Sequence, residues 1–300
     1  MAVQRQKPRE VMKAVVQVDV HFPRQVRAAN ARRLVGTSEG ETPHIEQPVR
    51  LVSCDMPETS IYAGAPQAAQ QKLDACRARL ENGFYDALPE ELRSHLLARL
   101  SPDAAKRHIA AGHRAASAFN ELLDLRLALD GGGRRRLATI PTGEIIDTHG
   151  RLLAYLAPWF AGDHGDPLPP RDHPDRRTFN LDLIERGWAA FFPVYPSLPR
   201  HGDLNRTIAA AESAWDEKRG AFAEFGDDLL LGYEYRACVK LGTADDPGAG
   251  IAAAFKRVCV DLRDLRVVGL FGFPEVPPCY RLWIWRQDLD LAMSELGLHI

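Results

Sequence analysis

Residues 50–59 bring an arginine and two carboxylates together: Arg50, then Asp55 and Glu58, in the run RLVSCDMPET. A second arginine, Arg151, follows Asp147 and Gly150 in the run DTHGRLLAYL. These residue types suit cleavage of a phosphodiester. That reaction needs charge neutralised on the non-bridging oxygens, an activated water and a hard cation. Arginine meets the first need because its planar fork grips two phosphate oxygens at once. One carboxylate can bind a cation alongside a backbone carbonyl, and another can take or steer a proton from water. Taken alone, residues 50–59 read first as an edge strand with ordinary surface charges.

The elements around these residues must therefore be able to bring them together. Residues 49–54 are apolar enough for a strand, and Met56-Pro57 turns the chain away. Arg50 and Asp55 are five apart, so in a straight strand they would point to opposite faces. A bulge or the end of the strand must intervene, and Pro57 fits a sharp exit. Residues 11–20 read as an earlier strand. Helical spacing predicts helices over 66–80, with Ala69, Leu73, Cys76 and Leu80 on one face, and over 89–100. Ser101-Pro102-Asp103 marks the start of a third helix, punctuated by Gly112 and resumed over 113–124. Short strands are expected over 125–128, 137–140, 151–156 and 189–195, with helices near 181–188 and over 203–222. The last stretch alternates apolar and polar residues as strands over 258–262, 265–271 and 280–285, then turns helical over 288–296.

Composition bounds the class. The chain has 300 residues, 45% hydrophobic and 26% charged, the balance of a soluble globular protein. No apolar run approaches the roughly 20 residues that span a bilayer, and the N-terminus lacks a secretory core, so a cytoplasmic location is expected. Five widely spaced cysteines without a C-x-x-C pair predict buried reduced thiols. The net charge of -2 means that any affinity for nucleic acid must come from a local patch. The 31 arginines against 7 lysines supply many bidentate donors for one.

The strand and helix order suits an α+β fold built on a five-stranded barrel of the oligonucleotide-binding type. At this point the motifs resemble the staphylococcal nuclease-like, or thermonuclease, family. The family's arginine, four residues, Asp-Thr-Pro-Glu-Thr stands here as Arg50, residues 51–54, then Asp55-Met56-Pro57-Glu58-Thr59. Its Asp-x-x-Gly-Arg-x-x-Ala-Tyr matches Asp147, Gly150, Arg151, Ala154 and Tyr155 without a gap. Weaker echoes follow in order at 115–119, in NLDLIERGWA at 180–189 and in AESAWDEKRG at 211–220. The resemblance covers about half the chain. It implies a domain over 1–235 with capping helices and a helical insertion over about 60–111. Residues 236–300 would be a small α+β extension, a candidate protein-contact surface.

The resemblance also implies an activity, metal-dependent hydrolysis of single-stranded DNA or RNA with no membrane partner. Arg50 and Arg151 would clamp the phosphate and Glu58 would be the general base. Asp55 and the Met56 backbone carbonyl would bind Ca2+ or another hard ion such as Mg2+, with Asp147 and Tyr195 on the substrate side. The family's second metal carboxylate has no counterpart, because Gly36-Thr37 stands at its spacing. Glu41 and Asp19 are the two substitutes. The alternative is an inactive barrel that binds nucleic acid or protein. Residues 163–175, with Asp163, His164 and Asp166 before three prolines and Asp172, His173 and Asp175 after them, read as a solvated loop in preference to a metal cluster, and residues 134–136 as a solvated turn in preference to a backbone contact.

Overall fold

A computed structural model describes residues 32–39, 41–160, 167, 169–170 and 173–300. The strand expected over 11–20, with Asp19, lies outside the described residues, as do Asp163, His164, Asp166 and Asp172. The chain divides into two compact units after Glu46. In the first, β1 (Leu34–Glu39) and β2 (Thr42–Ile45) form an exposed antiparallel hairpin with Glu41 in its turn.

The second unit opens with β3 (Val49–Leu51) and β4 (Ser53–Asp55). Four helices follow: α1 (Ser60–Ala63), α2 (Pro66–Glu81), α3 (Glu90–Leu97) and α4 (Ala104–Leu127). Then come β5 (Leu137–Ile146), β6 (Leu152–Pro158), α5 (Phe179–Glu185) and β7 (Ala190–Phe192). Helices α6 (His201–Asp216), α7 (Ala221–Phe225), α8 (Gly232–Thr243) and α9 (Pro247–Ala254) lead to the last strands. These are β8 (Arg257–Asp261), β9 (Arg266–Gly269) and β10 (Arg281–Trp285), closed by α10 (Leu289–Leu296).

β3 runs parallel to β6, which pairs antiparallel with β5 on its other edge. β4 pairs instead with β7, and the C-terminal strands lie in the order β10-β8-β9. The fold is thus α+β. Among the described residues the strands make four small sheets and do not close into the expected barrel. The local reason is the turn between β3 and β4, which takes the chain out of one sheet and into another.

Several helix boundaries differ from the sequence expectation. α4 passes through Gly112 without a break, and the strand expected over 125–128 is its last turn followed by a single bridge from Ala128 to Arg134. The helix expected over 203–222 is two helices. Its break carries Lys218 and Gly220 at positive φ, because the Gly220 backbone packs directly against Gly187. The stripe predicted on α2 is real: Ala69, Leu73, Cys76 and Leu80 are all buried. Each leucine fully buried in this way contributes about 1.5–3 kcal/mol.

The main core joins the insertion to the C-terminal segment. Leu73, Cys76, Leu92 and Leu96 pack with Tyr235, Leu241, Phe273 and Trp283 in one cluster. α2 and α8 cross so closely that a Cβ at Gly242 would meet the Lys72 carbonyl carbon at 2.8 Å. The domain end expected at 235 falls inside α8. All five cysteines are buried and unpaired as disulfides. No helix among the described residues is long and apolar enough to cross a membrane.

Candidate functional site

The site begins at the bend between β3 and β4. Ser53 has a φ of 57°, the left-handed region that a non-glycine residue adopts only at a cost. Asn180, from the start of α5, holds this bend. Its amide donates to the Val52 carbonyl at 2.8 Å, and its side-chain oxygen accepts from the Leu156 N–H at 3.0 Å. The Ser53 hydroxyl bonds the Tyr155 hydroxyl at 2.8 Å. The break required by the five-residue spacing is this one. With it, the charge of Arg50 is felt by Asp55 and Glu58 together.

Glu58 is fixed through its backbone. A Cβ at Gly112 would stand 2.8 Å from the Pro57 carbonyl oxygen and 2.7 Å from the Glu58 carbonyl carbon, so only glycine lets α4 lie against this segment. One turn earlier on α4, His108 Nε2 accepts the Glu58 N–H at 2.8 Å. Its Nδ1 must then carry the proton, which it donates to the Leu230 carbonyl at 3.0 Å. The ring is fully buried and stacked 3.8 Å from Tyr235. Burial drives its pKa down to about 3, against the pull of the Leu230 carbonyl and with help from the charge of Arg236.

Arg236 on α8 joins the two carboxylates. It donates to Glu58 Oε1 at 2.6 Å and to Asp55 Oδ1 at 2.8 Å. Burial alone would lower its pKa, but Asp55 and Glu58 outweigh that and raise it, so the guanidinium stays charged. Asp55 is only 3% exposed, and its Oδ2 has no hydrogen-bond partner. That oxygen and the Met56 carbonyl oxygen both face Gly232, where a Cβ would stand 2.7 Å from each.

A hard divalent ion does not fit these residues as arranged. The space between Asp55 Oδ2 and the Met56 carbonyl is taken by the first residue of α8, and Asp55 Oδ1 and Glu58 Oε1 both hold the Arg236 guanidinium. Among the described residues no group of three or more His, Cys, Asp or Glu side chains is placed to bind a metal.

The other expected residues are distributed around this centre. Arg50 stands on β3 beside Leu153 of β6, and among the described residues its side chain has no hydrogen bond or ion pair. Burial lowers its pKa; Asp55 opposes this, and Arg236 and Arg151 add to it. Arg151 is held by Asp147, with Nε at 2.8 Å and Nη2 at 2.6 Å from Oδ2. Asp147 Oδ1 also accepts the Arg151 and His149 backbone N–H groups at 2.9 Å. Burial would raise the Asp147 pKa, but these bonds from Arg151 and His149 bring it below its ordinary value. Asp147 is therefore the anchor of Arg151.

Tyr195 is buried with Val260, Leu282 and Ile284, and its hydroxyl donates to Glu295, so its ring is core. Glu41 is exposed in the β1–β2 turn. Sequence reasoning missed His108 and Arg236. The first sat within an expected helix face and the second just past the expected domain end. The chain matches no known family model, and no curated protein matches it.

Proposed function

We propose that this chain acts on the phosphodiester backbone of single-stranded DNA or RNA, as a nuclease of the thermonuclease type. Arg50 grips a phosphate and Glu58 steers and deprotonates the attacking water. The observation that carries this reading is that the Arg50 guanidinium, near enough to Asp55 and Glu58 for its charge to act on both, has no hydrogen-bond or ion-pair partner among the described residues. A half-buried arginine without a carboxylate is electrostatically incomplete, and an anion completes it. Arg151, presented by Asp147 from the strand next to Arg50, is the second cation along the same backbone path. The reading takes the β3–β6–β5 sheet as the part of an oligonucleotide-binding barrel that meets the strand, and it is consistent with a cytoplasmic protein.

Binding without hydrolysis is the second reading, and one observation favours it. Glu58 Oε1 accepts from Arg236 at 2.6 Å, so that oxygen is already committed to a guanidinium instead of being open to a water. Incubating the protein with labelled single-stranded DNA and RNA decides between them. Cleavage by the unaltered chain that disappears in Glu58→Gln supports hydrolysis. Binding that depends on Arg50 without any cleavage supports the second reading. Neither binding nor cleavage refutes both.

A further inference from the structure

Arg257, the first residue of β8, stands next to the site although it is about 200 positions away from it in sequence. Its guanidinium carbon lies 3.8 Å from the centre of the Trp285 ring, its register partner on β10, and 5.5 Å from that of Phe192. Phe192 in turn is paired with Ser53, two residues before Asp55. Two aromatic rings thus hold a flat guanidinium beside the strand that carries Asp55. Its Nε is buried without a hydrogen-bond partner. No carboxylate pairs with it among the described residues, and the same is true of Arg50.

On the reading proposed above, we infer that Arg257 joins Arg50 and Arg236 in a three-guanidinium cradle for one phosphodiester group, so that the C-terminal segment supplies the positive charge that a divalent ion would otherwise bring. The charges balance on this assignment. Three arginines face two carboxylates, Asp55 and Glu58, and a phosphodiester brings the one negative charge still missing. Burial pushes the Arg257 pKa down to about 10, and repulsion from Arg236 and Arg50 adds to it while Asp55 opposes it. That is the condition of a cationic site waiting for an anion. It also accounts for the poor fit to a metal, since the cation is already part of the chain.

The test is binding of a fluorescein-labelled single-stranded oligodeoxynucleotide, followed by anisotropy in EDTA and then with added calcium or magnesium, over a range of salt. The unaltered protein is expected to bind in EDTA, with affinity changed less than about twofold by either ion. Arg257→Gln should weaken binding about tenfold or more and reduce the log–log salt slope by about 0.7, the share of one phosphate contact on a single strand. Arg257→Lys keeps the charge without the fork, so it should restore most of the slope and only part of the affinity; it also serves if the glutamine variant fails to fold. Binding by the unaltered chain that vanishes in EDTA, or an Arg257→Gln variant with wild-type affinity and slope, overturns the cradle and leaves the reading of the site standing. Absence of binding by the unaltered chain under every condition overturns both.

Discussion

The backbone N–H of Glu58 donates to Nε2 of His108, so the residue read as the base is positioned by an imidazole that must stay neutral. With its pKa near 3 in the fold against an ordinary 6.5, the unfolded chain takes up a proton that the folded chain refuses. This group leaves stability unchanged above about pH 6.5 and lowers it by about 1.4 kcal/mol per pH unit below that, until about pH 3. Buried Glu234 adds a loss further down. Burial would raise its pKa, but His95 and Arg281 hold it at about 2 against an ordinary 4.5, so its contribution fades as pH falls through that interval. Urea midpoints measured from pH 7.5 to 4.5 should fall in the unaltered protein and stay nearly level in His108→Gln. A level profile in the unaltered protein refutes the assignment.

Gly112→Ala should destabilise by about 1–3 kcal/mol or more, because the new methyl meets the Pro57–Glu58 backbone and not a side chain that can move. Gly202→Ala on α6 is the matched control. Nothing lies within 4 Å of its Cβ, so it should be neutral or stabilise by about 0.5–1 kcal/mol through helix propensity. Equal effects of the two, read from denaturant unfolding, would contradict the close approach of α4 to residues 57–58.

Removing Arg236 leaves Asp55 buried and uncompensated. Arg236→Gln is therefore expected to cost about 3–5 kcal/mol, and Asp55→Asn added to it should recover a good part of that loss. A double variant no more stable than the single one would mean that the pair is not coupled.

Arg151→Lys retains a charge but breaks the two-point grip on Asp147. On the proposed function, cleavage or oligonucleotide affinity should fall severalfold while the melting temperature moves little, since the pair is partly exposed. An unchanged affinity and rate would leave Arg151 as a turn-stabilising residue only.

Much of this arrangement was legible locally. Residues 49–54 and 151–156 read as strands because each is mostly apolar, and the need for a break between Arg50 and Asp55 followed from the two-residue period of a strand. Ser53 is where that break lies, which no propensity would single out, because Asn180 holds it from 128 positions away. Gly112 was legible as unusual but misread as a helix breaker; its role is set by a segment that packs across it. Arg236 gave no local signal at all. GYEYRACVK is ordinary helical text, and only the crossing of α8 over α2 brings its single arginine to two carboxylates near the other end of the unit. That the described strands do not close into a barrel has a related reason: strand order in sequence does not reveal which edge a strand joins after a sharp bend.

The Arg236 contacts span 178 and 181 residues of chain, which gives the site a place in time as well as in space. During synthesis, the arginine and carboxylates of residues 50–58 are made long before their counter-ion. Until α8 has been added and docked, the two acids stand without it, and on the proposed cradle the anion site does not yet exist. Competence for a phosphate is then a property of the finished fold, switched on by the arrival of its last quarter, and a chain halted before that point carries the motif without that competence.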